Sequence, residues 1–142
     1  MNAFNMNRIS LVKTYLWVCS IFLAFWWPLS HWFYSDFYHQ TIMGFAPGSY
    51  PEGMVKTIGV CGVIPVLLAY FAARDPLNNR PAVISLITFS FLIAFTYISL
   101  ILEEQFPVNE MINVVICLFS AIFLLVFFPW QQSKPKTMKA AN

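Results

Sequence analysis

His31, Asp36, His39, Lys56, Glu103, Glu110 and Asn113 are the residues of this 142-residue chain whose types could hold a ligand, a metal or a proton. Imidazole and carboxylate suit zinc, iron or manganese. The same groups could act as an acid and base pair on a lipid-like substrate that enters between helices. The spacing does not single out either chemistry. His31 and His39 are eight apart rather than at the i, i+4 spacing of a helical metal pair, and no H-E-x-x-H occurs. Asn109 and Glu110 also read as an ordinary N-cap and a first-turn acid that complements the helix dipole. The sequence thus assigns no catalytic residue and no cofactor, and a structural polar cap accounts for the cluster as simply as an active centre does.

What must position these residues is a set of four long apolar stretches at about 9–30, 54–73, 82–102 and 111–130. Each approaches the ~20 apolar residues that a helix needs to cross ~30 Å of hydrocarbon. Composition agrees. The chain is 59% hydrophobic and only 10% charged, with mean hydropathy +0.67, where a soluble domain carries about 25% charged residues. The expected fold is all-α: a polytopic, antiparallel four-helix transmembrane bundle of one domain over residues 1–142, with an outer loop at 31–53 that carries a short interfacial helix.

Charge placement gives an orientation. Seven of the eight basic residues, Arg8, Lys13, Arg74, Arg80, Lys134, Lys136 and Lys139, fall on one side of the four stretches. By the positive-inside rule that side is cytoplasmic, and both termini with it. Asp36, Glu52, Glu103, Glu104 and Glu110 make the other face acidic, with only Lys56 against them. Phe25-Trp26-Trp27-Pro28 stands where small residues would be needed for signal cleavage, so the first stretch reads as a retained anchor. The tail lysines suit anionic lipid headgroups, and nucleic acid is not an expected partner. Cys19, Cys61 and Cys117 form no C-x-x-C pair, which argues against thiol–disulfide chemistry and for three buried small hydrophobes.

Local patterns fill in the frame. In the outer loop Tyr34, Phe37, Tyr38, Thr41 and Phe45 recur at α-helical spacing, opposite Asp36, His39, Gln40 and Met43. This predicts an amphipathic helix capped by Ser35 and ended by Gly44, with Trp26, Trp27 and Trp32 as an aromatic belt. Ser49-x-x-Glu52 reads as a capping box ahead of the second stretch, with a Glu52–Lys56 pair one turn on. Gly59, Gly62, Ala69 and Ala73 invite close helix approach, and Pro65 should kink the second stretch. Residues 74–81 and 103–109 are tight polar turns.

Stripes of small and polar residues predict which helix faces turn inward. They are Ser20, Ala24, Trp27 and His31 in the first stretch. The third carries Ser85, Thr88, Leu92, Thr96, Ser99 and Glu103, and the fourth Glu110, Asn113, Cys117 and Ala121. On that rotation His31, Lys56, Glu103, Glu110 and Asn113 converge below the loop helix with Asp36 and His39.

The segment Gly44-Phe45-Ala46-Pro47-Gly48, the pattern Gly59, Gly62 and Pro65, and Ala72-Ala73-Arg74-Asp75-Pro76 through Asn79-Arg80 together resemble small bacterial four-helix membrane proteins of the BphX-like and DoxX-like kind, from about residue 10 to residue 130. The resemblance implies a bacterial inner membrane and, because DoxX-like proteins include subunits associated with quinone-linked oxidases, an accessory subunit more than an enzyme. It carries over no site residue.

Three functional expectations follow. The first is a small accessory or hydrophobic-ligand-binding membrane protein, with a membrane-protein partner or a second copy of itself and a lipid or quinone ligand. The second is a membrane enzyme or metal-binding protein that uses the outer His and carboxylate cluster. The third is an oligomeric channel, for which the middle of the spans offers no charged residue.

Overall fold

The computed structural model describes residues 3–130, with side chains from residue 6; the tail residues Lys134, Lys136 and Lys139 lie outside the described residues. The elements are helices α1 (Ala3–Ala24), α2 (Ser30–Phe33), α3 (Glu52–Cys61), α4 (Val63–Arg74), α5 (Arg80–Leu102) and α6 (Met111–Phe127). Two π-helical segments, Phe25–Leu29 and Phe37–Ile42, and a 3₁₀ turn at Val108–Glu110 complete them, and no strand occurs among the described residues. Four continuous helical stretches, Met6–Phe33, Glu52–Arg74, Arg80–Leu102 and Val108–Phe127, are long and apolar enough to cross a membrane.

The boundaries move by a few residues from those the hydropathy suggests, each for a local reason. The first stretch runs past Pro28 because the chain widens into π turns there. Proline lacks the N–H and crowds the carbonyl four residues back, and a widened turn absorbs both defects without ending the helix. The last stretch stops at Phe127 rather than 130. Pro129 disfavours the helical conformation at the residue before it, and Phe128 is extended at φ −67°, ψ 132°.

Pro65 acts as expected. It cannot donate to Cys61, and the second stretch is interrupted between Cys61 and Val63, at Gly62. The capping box does not form. Helix α3 begins with Pro51 at its N-cap and makes no side-chain cap, because Pro51 already supplies the extended entry and leaves Ser49 outside the turn. The Glu52–Lys56 pair is present, with Nζ 2.6 Å from the carboxylate and both side chains largely solvent-accessible.

Helix α1 packs on α4, α4 on α5 and α5 on α6, and α6 returns to α1. Val12, Leu16, Ala69, Ala72, Ala73, Val83, Leu86, Ala121 and Leu124 form the core. Outside it every helix shows large apolar side chains, among them Phe25, Phe71, Phe95, Val115 and Phe119. At one end two arginines close the bundle: Arg8 donates to the carbonyl of Val126, and Arg80 donates to that of Trp130 at 3.1 Å. Cations at the carbonyl end of α6 meet both its unsatisfied acceptors and its dipole.

Helix α5 is rotated away from the expected face. Ser85, Thr88, Leu92, Thr96, Ser99 and Glu103 are all exposed, while Val83, Leu86, Ile87, Ser90 and Ala94 face inward. A hydroxyl need not turn inward when its own helix satisfies it. Thr96 Oγ1 donates to the carbonyl of Leu92 at 2.9 Å, and Ser99 Oγ donates to Glu103 Oε1 at 2.9 Å. Cys61 is likewise exposed, off the face of α3 that buries Val55 and Gly59, while Cys19 and Cys117 are half-buried.

The small residues of the second stretch do admit close approach. A Cβ on Gly59 would lie 2.8 Å from Trp32 Cδ1 and 2.9 Å from His31 Cβ, and one on Gly62 would lie 2.8 Å from Trp27 Cγ. These two glycines let α3 rest against the Pro28 turn and α2. Gly62→Ala should therefore destabilise the protein by about 1–3 kcal/mol through overpacking. Gly53→Ala has open space around its Cβ and should stabilise by about 0.5–1 kcal/mol. Thermal unfolding of both variants in detergent checks the opposite signs, and equal effects would contradict this packing.

Candidate functional site

The end of the bundle away from the two arginines is where the buried imidazole, carboxyl and amide side chains of the described residues gather. The first π-helical segment brings Trp26 to it, α2 brings Ser30 and His31, the second π-helical segment brings Tyr38 and His39, and the last stretch brings Glu110 and Asn113. Of the described residues there, His31 is 3% exposed, His39 7%, Glu110 3% and Asn113 7%.

The loop reaches this end as a π-helical turn and not as an α-helix. The amide of Met43 donates to the carbonyl of Tyr38, five residues back, at 3.0 Å. That wider turn changes which residues share a face. Tyr38, His39 and Met43 are buried, whereas Tyr34, Phe37 and Thr41, expected on the packed face, are exposed. Ser35 gives no side-chain cap; its carbonyl instead receives His39 Nδ1 at 2.9 Å. Gly44 does end the turn, at φ +80°, and its missing side chain leaves space for the Asn109 amide, which would stand 3.1 Å from a Cβ. Asn109 caps nothing; its Nδ2 donates to the carbonyl of Ile42 at 3.3 Å and ties the loop to the start of the last stretch.

Asn113 is the hub. Its Oδ1 accepts from Trp26 Nε1 at 2.7 Å. Its Nδ2 donates to the Tyr38 hydroxyl at 3.1 Å and to Glu110 Oε2. Met43 Sδ lies against the same nitrogen at 3.9 Å. One carboxamide thus connects the first stretch, the loop and the last stretch.

Next to it stands an aromatic cluster. The Tyr38 ring centre lies 4.9 Å from that of His31 and 5.1 Å from that of His39, and the two imidazoles are 5.0 Å apart at 83°. Tyr50 packs on His39 at 4.5 Å. His31 Nδ1 donates to the carbonyl of Trp27 at 2.8 Å, with Ser30 Oγ 3.0 Å away. Burial holds the His39 imidazole below the ordinary histidine range, against the opposing pull of the Ser35 carbonyl and the Asp36 charge. Burial raises the Tyr38 phenol well above the ordinary range. His39 is therefore a neutral imidazole, and Tyr38 a neutral hydroxyl, near pH 7.

The cluster anticipated from sequence separates into two sets. His31, His39, Glu110 and Asn113 come together. Asp36 is exposed and accepts from Tyr50 at 3.1 Å and from Gln40 at 3.3 Å, which closes the loop over His39. Lys56 stays with Glu52 on the surface, and Glu103 points away with Ser99 and Gln105. Among the described residues no group of three or more His, Cys, Asp or Glu could hold a metal ion. Trp26, Ser30 and Tyr38 belong to the site although the sequence pattern suggested a belt for Trp26 and a loop-helix face for Tyr38 and singled out no role for Ser30. Trp26 is turned to Asn113 and Trp27 to Gly62 and Phe89; only Trp32 is exposed.

An apolar groove of about 550 Å³ runs beside this cluster. Phe22, Phe25, Leu29, Phe33, Phe37 and Ile42 line it, and Trp26, Ser30 and Tyr38 stand in its wall. Six of its residues lie in the two π-helical segments, so the widened turns that carry the chain past Pro28 and through the loop also form the groove.

Comparison with protein-family models, with curated proteins and with solved structures finds no match to this chain.

Asn113→Ala strands the Trp26 indole and the Glu110 carboxyl in a buried site, at about 1–3 kcal/mol for each group left without a partner. Thr88→Ala on the exposed face of α5 should stay within about 0.5 kcal/mol of the parent. Chemical or thermal unfolding distinguishes them; a larger loss from Thr88→Ala would mean that α5 is rotated the other way.

Proposed function

We propose that the protein is an integral membrane protein, an antiparallel four-helix bundle that binds a hydrophobic, lipid-like molecule in the groove between its first span and the loop that covers one end. The carrying observation is an apolar groove with two polar residues, Ser30 and Tyr38, among its lining. A volume of about 550 Å³ falls within the ~300–1,000 Å³ of small-molecule sites, which are mostly apolar with a few placed polar groups. Here those groups are Ser30 and Tyr38. Ser30 is committed to the carbonyls of Trp26 and Trp27 at 2.6 and 3.0 Å. Tyr38 accepts from Asn113, which leaves its hydroxyl hydrogen to donate to a carbonyl, ester or hydroxyl oxygen of the ligand.

The membrane setting is supported by four helices of sufficient length and by apolar side chains exposed around them. Arg8, Arg80 and the end of α6 meet at one end of the bundle, which supports an alternating path and, with the positive-inside rule, cytoplasmic termini; a bacterial inner membrane is what the resemblance implies. The loop at 34–51 then lies on the outer surface, with its π-helical turn at the interface.

Mild extraction followed by native mass spectrometry should find a retained lipid-sized molecule. Leu29→Trp, which fills the groove without touching Asn113, should remove it while helical content is unchanged. A parent protein that retains nothing, or a Leu29→Trp protein that retains the same mass, would end this reading.

Topology has its own check. A cysteine at Ser49 should react with an impermeant maleimide on intact cells, and one at Asn78 only after lysis. The reverse pattern would invert the orientation.

A further inference from the structure

We infer that the bundle holds a seam of ordered water between α1, α5 and α6, running from Asn113 at the loop end to Ser90 and Ser120 deeper in the body. This inference is independent of the groove.

Ser90 carries it. The residue is 9% exposed and faces inward from α5, and its hydroxyl has no hydrogen-bond partner among the described residues. Other inward serines do have one: Ser20 donates to the carbonyl of Val66 at 3.2 Å, and Ser30 to that of Trp26 at 2.6 Å. A buried hydroxyl that gives up hydration for nothing in return is rare and costly. Ser90 borders an internal cavity of about 40 Å³. From α6, Ser120 borders the same cavity and accepts from the Tyr15 hydroxyl at 2.8 Å, which leaves its own hydrogen unspent. Cys19 and Cys117 add thiols, weak donors and acceptors, to the wall.

A second cavity of about 20 Å³ lies toward the loop end. Leu23, Trp27, Ile116 and Cys117 border both cavities, so the two adjoin. Tyr97 borders the second with a hydroxyl that has no hydrogen-bond partner among the described residues. Asn113 borders it too, and its Oδ1, which accepts from Trp26, has a second lone pair. Ser90 and Tyr97 are seven positions apart on α5, as Asn113 and Ser120 are on α6, a rise of about 10.5 Å in each. The two helices thus present polar groups at the same interval, one from each helix to each cavity.

Size and charge select the occupant. A water needs about 10–15 Å³ of such space and two to four polar partners, whereas a cavity that stays dry is apolar throughout. Both cavities are roomy enough and have hydroxyl, thiol or amide groups in their walls. They fall far below the ~300 Å³ at which small-molecule sites begin. No charged side chain borders either one, and an ion there would be buried without a counter-charge. A neutral molecule that both donates and accepts is what these walls can hold, and water bridges hydroxyls at little entropic cost.

The test is X-ray radiolysis of the full chain in nanodiscs, with oxidation read by mass spectrometry. Hydroxyl radicals formed from bound water should oxidise Tyr15, Cys19 and Cys117. Met43, fully buried and bordering neither cavity, should stay unmodified. Ser90→Val, which removes a hydroxyl and fills space, should abolish oxidation of Cys19 and keep that of Cys117, with helical content unchanged. Ser120→Val enters the same cavity from α6 and decides the matter if Ser90→Val does not fold. Absence of oxidation at Cys19 and Cys117, equal oxidation of Met43, oxidation of Cys19 that survives either folded variant, or uptake of xenon between α1 and α6 in place of water would each overturn the inference.

Discussion

The side-chain carboxamide of Asn113 is the interaction on which the loop end of this molecule depends. A primary amide both donates and accepts, and here it accepts from Trp26 in the first stretch while donating to Tyr38 in the loop and Glu110 on its own helix. Remove it and three segments lose their shared partner in a buried place, where an unpaired polar group is costly. The Trp26 indole and the Tyr38 hydroxyl are fixed by that one group, and both imidazoles, held by backbone carbonyls, pack on the Tyr38 ring. The apolar end is organised differently, by alanines and branched side chains close to the helix axes and by arginines on the last carbonyls. One end is thus held by close packing and by arginines on backbone carbonyls, the other by a network of side-chain hydrogen bonds centred on one amide.

Much of the frame was legible in residue order. Four apolar stretches, the break before Pro65, the end of the loop helix at Gly44, the Glu52–Lys56 pair and the inward face of the last helix all follow from rules that act within a few residues. Gly59 and Gly62 were readable as points of close approach, though not which rings would approach. Half the candidate site was readable too, because a histidine or asparagine in a long apolar run has few alternatives to facing inward.

What escaped was wherever a polar group had a local partner or the helix changed its period. The α5 stripe looked inward-facing because six positions kept helical register, but Thr96 and Ser99 bond within their own helix and carry little cost when turned outward. In the loop an α-helical period placed His39 opposite Tyr38, and a turn closed five residues back puts both inside. A widened turn has no residue signature of its own, apart from Pro28 in the first segment. Trp26 was unreadable for a similar reason: an indole suits an interface and a buried amide equally well, and its choice is made by an asparagine 87 positions away.

That separation bears on how the molecule comes into being. Arg8 waits for a carbonyl 118 positions later in the chain, Trp26 for an amide 87 later, and Tyr38 for the same amide 75 later. Both ends of the bundle are therefore completed by α6, which is synthesised after the other described helices. Until α6 arrives, the nascent chain lacks the carbonyl that Arg8 meets at Val126 and the carboxamide that Trp26 and Tyr38 share. A chain cut short before residue 113 would lack the residue that joins the loop to the first helix, so this end of the bundle closes only once α6 has been synthesised.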